Sequence, residues 1–196
     1  MTSQPLRDSE SFRRGRVAEV LCAAVLRSKG HFVIPTYDYS GEDGARAPIM
    51  ASDYCGVVLP DLMAAKRGQV AHFEIKLKAR ADFTYSTGRL EHGVGLRRWR
   101  DYLRVEQEFG SRLWLWICEP ATGDILSCSR AELSKHARIY RGEKMDPGGM
   151  IFFPRSIFTL EAHCDDLALR GNAEIKAALS KLTYQLRLPG FRQEDK

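Results

Sequence analysis

A mixed α/β fold, with a central mixed β-sheet flanked by α-helices, follows from three observations. The chain opens with an apolar stripe at helical spacing: Val17, Leu21, Ala24 and Val25. Short apolar runs bounded by Gly and Pro follow it, as strands do. A second helical pattern over 96–109 then separates those runs from a further set. Helix, strands, helix, strands is the order of a sheet covered by helices.

The elements follow in order. Ser9 or Ser11 caps a first helix that runs to Ser28 and is ended by Lys29-Gly30. His31 to Ile34 is a first strand, stopped by Pro35. Residues 35–52 have no regular pattern and form the longest loop, a length that is often functional. Cys55 to Ala65 is a second strand, Lys66 to Gln69 its turn, and Val70 to Ala79 a third strand, together a hairpin. In the helix over 96–109, Leu96, Trp99 and Leu103 share a side and Gly110 is the stop. Leu113 to Glu119 and Ile125 to Cys128 are strands joined by the turn at Pro120 to Asp124. Ser129 caps a short helix through His136, Met150 to Leu160 is another strand with a break or edge at Pro154, and 165–182 forms a final helix.

At 196 residues and 44% apolar, the chain is expected to make one domain over 11–188, with a flexible start over 1–10 and a flexible tail over 189–196. Its best apolar runs, Val20 to Leu26 and Leu113 to Cys118, fall far short of the ~20 residues a membrane span needs. The polar start, with Asp8 and Glu10, is not a secretory signal, so a soluble cytoplasmic protein is the expectation. Five scattered cysteines without metal spacing read as reduced thiols. The net charge of +5 fits a polyanionic partner. Its distribution is more pointed: Arg13, Arg14 and Arg16 lie near the start of the first helix, and Arg97, Arg98, Arg100 and Arg104 surround Trp99 and Tyr102.

The candidate chemistry sits on the hairpin. Strand side chains alternate faces, so Glu74 and Lys76 share one face with His72 and Lys78. Asp61, after Val57-Val58-Leu59-Pro60, lies on the neighbouring strand, where it can approach Glu74. Two carboxylates that close repel unless a cation lies between them, and a hard ion with oxygen ligands, Mg²⁺ or Mn²⁺, fits best. Such an ion holds a phosphate oxygen and activates water, and Lys76 offsets the charge that develops. Glu19, in an apolar helix segment, either completes the metal shell or pairs with Arg16 or Arg13.

Pro60-Asp61, Glu74-Ile75-Lys76 and Glu19 on the preceding helix together resemble the PD-(D/E)XK nuclease superfamily, of restriction-endonuclease-like fold, which includes Holliday junction resolvases. The resemblance spans roughly residues 11 to 118 in the order of motifs and elements. It implies Asp61 and Glu74 as metal ligands, Lys76 as catalytic lysine and Glu19 as accessory ligand, in a Mg²⁺-dependent enzyme that hydrolyses phosphodiester bonds, with DNA the expected substrate ahead of RNA. It also implies a helix after the E-x-K strand that adds a polar residue to the site, for which His92 and then Arg98 are the candidates. Arg13, Arg14, His92, Arg97, Arg98, Arg100 and Arg104 are the expected nucleic-acid contacts, with Trp99 either core or, like Tyr102, a stacking surface for bases. Members of this fold often act as homodimers. The alternative is a nucleic-acid-binding protein that keeps the fold without cutting.

Overall fold

The computed structural model describes residues 10–36, 49–51, 56–141 and 148–164. The expected final helix, the tail over 189–196, Cys55 and most of the long 35–52 segment lie outside the described residues. The chain forms α1 (Glu10–Ser28), β1 (Phe32–Pro35), β2 (Ile49–Ala51), β3 (Gly56–Val58), β4 (Leu62–Lys66), β5 (Gln69–Leu77), β6 (Asp82–Thr84), β7 (Arg89–Gly95) and α2 (Leu96–Phe109). It continues with β8 (Arg112–Glu119), β9 (Asp124–Ser129), α3 (Arg130–His136), β10 (Arg138–Tyr140), β11 (Met150–Pro154) and β12 (Thr159–His163).

The main sheet has six strands in the order β1-β4-β5-β8-β9-β12. It is mixed: β5 and β8 run parallel, connected through α2, and the other neighbours are antiparallel. This is the α/β architecture expected, a central mixed sheet with helices on it. A second sheet, β10-β11-β7-β6, and the β2-β3 pair lie beside it.

Alternation along β5 and β8 divides two cores. Phe73, Ile75, Trp116 and Cys118 join Ala18, Leu21, Cys22 and Leu26 of α1 on one face. Leu113, Leu115 and Ile117 join Leu96, Trp99 and Tyr102 of α2 on the other, extended by Val94, Ile151 and Phe153 of the second sheet. Trp99 is core, packed on Phe153 at a ring separation of 5.1 Å. The end signals read from sequence hold: Ser129 Oγ accepts from Glu132 N–H at 3.3 Å to cap α3, and Gly110 ends α2 in the left-handed region at φ 58°. The β4-β5 turn is the two-residue Arg67-Gly68, both at positive φ (50° and 77°), the geometry whose twist matches a hairpin.

Four elements differ from the sequence reading. The expected strand Cys55 to Ala65 is two, β3 and β4, which belong to different sheets. Pro60 between them has no N–H to give to a ladder. The expected strand Met150 to Leu160 is also two, because Pro154 passes into a 3-10 turn at Arg155–Ile157 that carries β12 to the other sheet. Part of the irregular 35–52 segment is strand, β2. Residues 82–95, to which the sequence reading gave no element, form a β6-β7 hairpin, and the helix after the E-x-K strand is α2.

One carboxylate couples the sheets. Glu119, fully buried at the end of β8, accepts Ala81 N–H at 3.0 Å and two bonds from Arg155 at 2.9 and 2.6 Å. Arg155 also reaches Asp124 at 2.7 Å. No helix among the described residues is long and apolar enough to cross a membrane.

Phe153 is fully buried at the junction of α2 and the second sheet, so Phe153→Ala is expected to cost about 3–5 kcal/mol, read from urea unfolding.

Candidate active site

The β4-β5 ladder ends at Leu62↔Phe73. One further step would set Asp61 opposite Glu74 and Pro60 opposite Ile75. Pro60 has no N–H for the Ile75 carbonyl, its own carbonyl is held by Thr36, and the Ile75 N–H is accepted instead by Asp61 Oδ2 at 2.7 Å. The backbone carbonyls of Pro60 and Asp61 meanwhile accept from the Thr36 hydroxyl and the Thr36 N–H, which pins the bend to the end of β1. Asp61 is therefore at a bend beside β5, not within a strand.

Glu74 is buried on the α2 face and accepts from the Tyr102 hydroxyl at 2.6 Å through Oε1. Lys76, two residues on and on the same face, forms an ion pair with that oxygen, its side chain about one-third exposed at 32%. Asp61 is engaged through Oδ2 and Glu74 through Oε1. Burial, and then the neighbouring charge of Glu74, push the Asp61 carboxyl well above the ordinary carboxylate range, against the opposing pull of Lys76 and the Ile75 N–H. Glu19, on α1, adds to the same upward push. A buried carboxyl held up by a second carboxylate is a site that gains from a cation. Mg²⁺ or Mn²⁺ fits this donor set of hard oxygens.

The four motif residues are thus placed together to different degrees. Asp61, Glu74 and Lys76 meet around one step of β5. Glu19 reaches Asp61 through its field, and among the described residues no three His, Cys, Asp or Glu side chains converge as a metal cluster.

The remaining expectations divide. His92 is on β7, opposite Phe153, and is 1% exposed, packed edge-on to Phe158. Its Nε2 lies 3.0 Å from Glu119 Oε1, but neither ring nitrogen makes a well-directed hydrogen bond. A side chain enclosed between two sheets does not touch nucleic acid, so His92 is a core residue and not a contact. Tyr102 is likewise buried and holds Glu74, which removes it, with Trp99, from the surfaces available to bases. Arg14, Arg97, Arg98, Arg100 and Arg104 are exposed, Arg98 within 3.8 Å of Asp101. Arg13 lies in α1 with its side chain outside the described residues.

Sequence reasoning missed two groups. Tyr102 was legible only as an aromatic beside arginines; its hydroxyl on Glu74 depends on how α2 crosses the sheet. Lys78 continues the Glu74-Lys76 face, and its alternation was the available signal. Its ammonium is pulled below the ordinary lysine range by burial and then by Lys76, with Asp82 opposing.

No protein-family model matches the chain, and no curated protein matches it in sequence. Among solved structures it is similar to Hjc from Archaeoglobus fulgidus, a Holliday junction resolvase from an archaeal hyperthermophile, with a TM-score of 0.46 and 12% identity over 74% of this chain and 86% of that one. It is also similar to D212, a nuclease from a fusselovirus, with a TM-score of 0.43 and 12% identity over 90% of this chain and 96% of that one. At this identity and these TM-scores neither likeness assigns an activity, and the site stands on its own geometry.

Two predictions test the electrostatics. A raised Asp61 pKa means that the folded state holds its proton to higher pH than the unfolded chain, so ionising Asp61 costs stability from about pH 4 upward. Asp61→Asn is therefore expected to raise the metal-free Tm at neutral pH. Saturating Mn²⁺ (about 100 Kd) should stabilise the wild type by about 2.7 kcal/mol and the variant far less, read by thermal shift. His92 behaves in the opposite sense. Burial, offset by Glu119, lowers its pKa, so the unfolded state binds the proton first and stability falls as pH drops below about 6.5. His92→Gln should flatten the stability profile between about pH 6.5 and pH 5 in urea titrations.

Proposed function

We propose that this chain is a metal-dependent nuclease of the PD-(D/E)XK superfamily that hydrolyses phosphodiester bonds in DNA. The observation that carries the reading is the end of the β4-β5 ladder: Asp61 turns onto Ile75 N–H beside buried Glu74, with Lys76 on the Glu74 face. Proline, two carboxylates and lysine occupy the motif's positions and share one locus in space.

The carboxylates of Asp61 and Glu74 would hold Mg²⁺ or Mn²⁺, with Glu19 strengthening the negative field there. When bound, such an ion supplies Lewis acidity toward a phosphate oxygen and a water of lowered pKa. The protein's own residues do the positioning. Tyr102 fixes the rotamer of Glu74 from the core side. Lys76 is anchored at one end by Glu74 and is exposed enough to turn its ammonium to a phosphate oxygen or to the attacking water. Lys78 stands next along the face as a second cation. Exposed Arg97, Arg98, Arg100 and Arg104 on α2, whose buried side carries Tyr102, suit contacts to the phosphodiester backbone.

The test is cleavage of a substrate panel (linear duplex, single strand, flap, four-way junction and RNA) with Mg²⁺, Mn²⁺ or EDTA. Cleavage is expected to require metal and to fall by about 10²-fold or more in Lys76→Ala. Cleavage that persists in EDTA or is untouched in Lys76→Ala sinks the proposal. Salt-sensitive binding of every substrate without cleavage assigns the chain to the non-cutting alternative.

A further inference from the structure

A groove of 680 Å³ opens on the α1 face of the main sheet, along the Gln69 to Phe73 half of β5 and so away from Lys76. Its volume is in the range of small-ligand sites. Three aromatic side chains, Phe73, Trp114 and Trp116, line its apolar part, Phe73 and Trp116 meeting edge-to-face at 6.0 Å. Trp116 is 2% exposed, and its indole Nε1–H has no hydrogen-bond partner among the described residues.

The rim is basic. Lys29, Lys66, Arg67 and Arg112 line it against one carboxylate among the described residues, Glu161. Glu161 is already engaged, by Lys29 and by the Ser127 hydroxyl. The Lys66 ammonium donates to the carbonyl of Lys29 at 2.5 Å, a neutral acceptor that leaves its charge uncompensated. Arg67 and Arg112 are exposed and paired to no carboxylate among the described residues.

We propose that this groove is a second binding site, for a single nucleotide unit, with the base against Phe73, Trp114 and Trp116 and the phosphate on Lys66, Arg67 and Arg112. The two halves of the groove call for the two halves of that ligand. Flat rings offer a base apolar contact irrespective of its identity. Guanidiniums on the rim suit a phosphate in a forked geometry that a lone lysine does not provide. A bare anion would leave the aromatic lining unused. An independent sign of the positive field is His31, also on the groove, whose pKa is lowered by burial and then by Lys66 and Lys29. The groove faces away from Glu74 and does not depend on the nuclease reading. Its nucleotide has two sources, a free nucleotide or an unpaired unit of a strand.

The experiment uses the full chain at low salt, with binding read by tryptophan fluorescence and calorimetry. The probes are thymidine monophosphate, inorganic phosphate and a short oligothymidylate. The monophosphate is expected to bind and to quench fluorescence. Its affinity should drop at least about tenfold in Arg67→Glu and in Arg112→Glu, and stay unchanged in Lys76→Ala. Trp114→Ala should weaken it without altering the salt dependence. Equal binding of inorganic phosphate and the monophosphate overturns the assignment, because the base then contributes nothing. So does the absence of binding at millimolar monophosphate, its persistence in both arginine variants, or its loss in Lys76→Ala. With the arginine dependence present, a tighter oligothymidylate identifies the ligand as a strand, and equal affinities identify it as a free nucleotide.

Discussion

The bond from Ile75 N–H to Asp61 Oδ2 is the constraint around which the candidate site is arranged. A central strand needs acceptors for every inward N–H, and β5 runs two residues beyond Phe73, where its pairing with β4 stops, to reach Ile75. The Pro60 carbonyl is turned to Thr36, and the side chain of the next residue supplies the acceptor for the Ile75 N–H. The same substitution brings a carboxylate to the end of the hairpin beside Glu74. Backbone satisfaction and the construction of an anionic pocket are thus one event.

The cost of that pocket is visible in the surroundings. Asp61 is held above its ordinary range by burial and by Glu74, and each partner present (Lys76, Tyr102 and the Ile75 amide) takes up only part of the negative charge. Ion pairs elsewhere are better compensated: Glu119, more deeply buried, has Arg155 in a forked pair and the Ala81 amide. The contrast separates a carboxylate that locks two sheets from carboxylates whose charge is only partly offset. His92 belongs to the first group, and its position between Glu119 and Phe158 explains why it contributes to the core rather than to recognition.

The two faces of the main sheet carry different chemistry. The α2 face gathers Glu74, Lys76, Lys78 and the helix with exposed arginines. The α1 face joins α1 to an aromatic floor that opens toward the β4-β5 turn and ends in a basic rim. Alternation along β5 and β8 distributes residues of one strand between these two environments: Phe73 and Glu74 are neighbours in sequence and serve opposite faces.

The amino-acid sequence by itself determined the elements that carry a strong local pattern. The stripe of α1, the alternation of β5, the Gly110 stop, the Ser129 cap and the Arg67-Gly68 turn are local chemistry, and the motif residues Asp61, Glu74 and Lys76 were legible from them. Tertiary structure alone decided where strands break and which sheet each half joins. Cys55 to Ala65 and Met150 to Leu160 read as continuous because apolar runs do not say which neighbour they pair with, and the proline in each transfers the chain between sheets. It also decided the roles of Tyr102 and His92, since an aromatic hydroxyl or an imidazole acquires a function only from the partner that a distant element brings to it. A period is written along the chain; a contact between residues 28 positions apart, as between Glu74 and Tyr102, is set by the packing of α2 on the sheet.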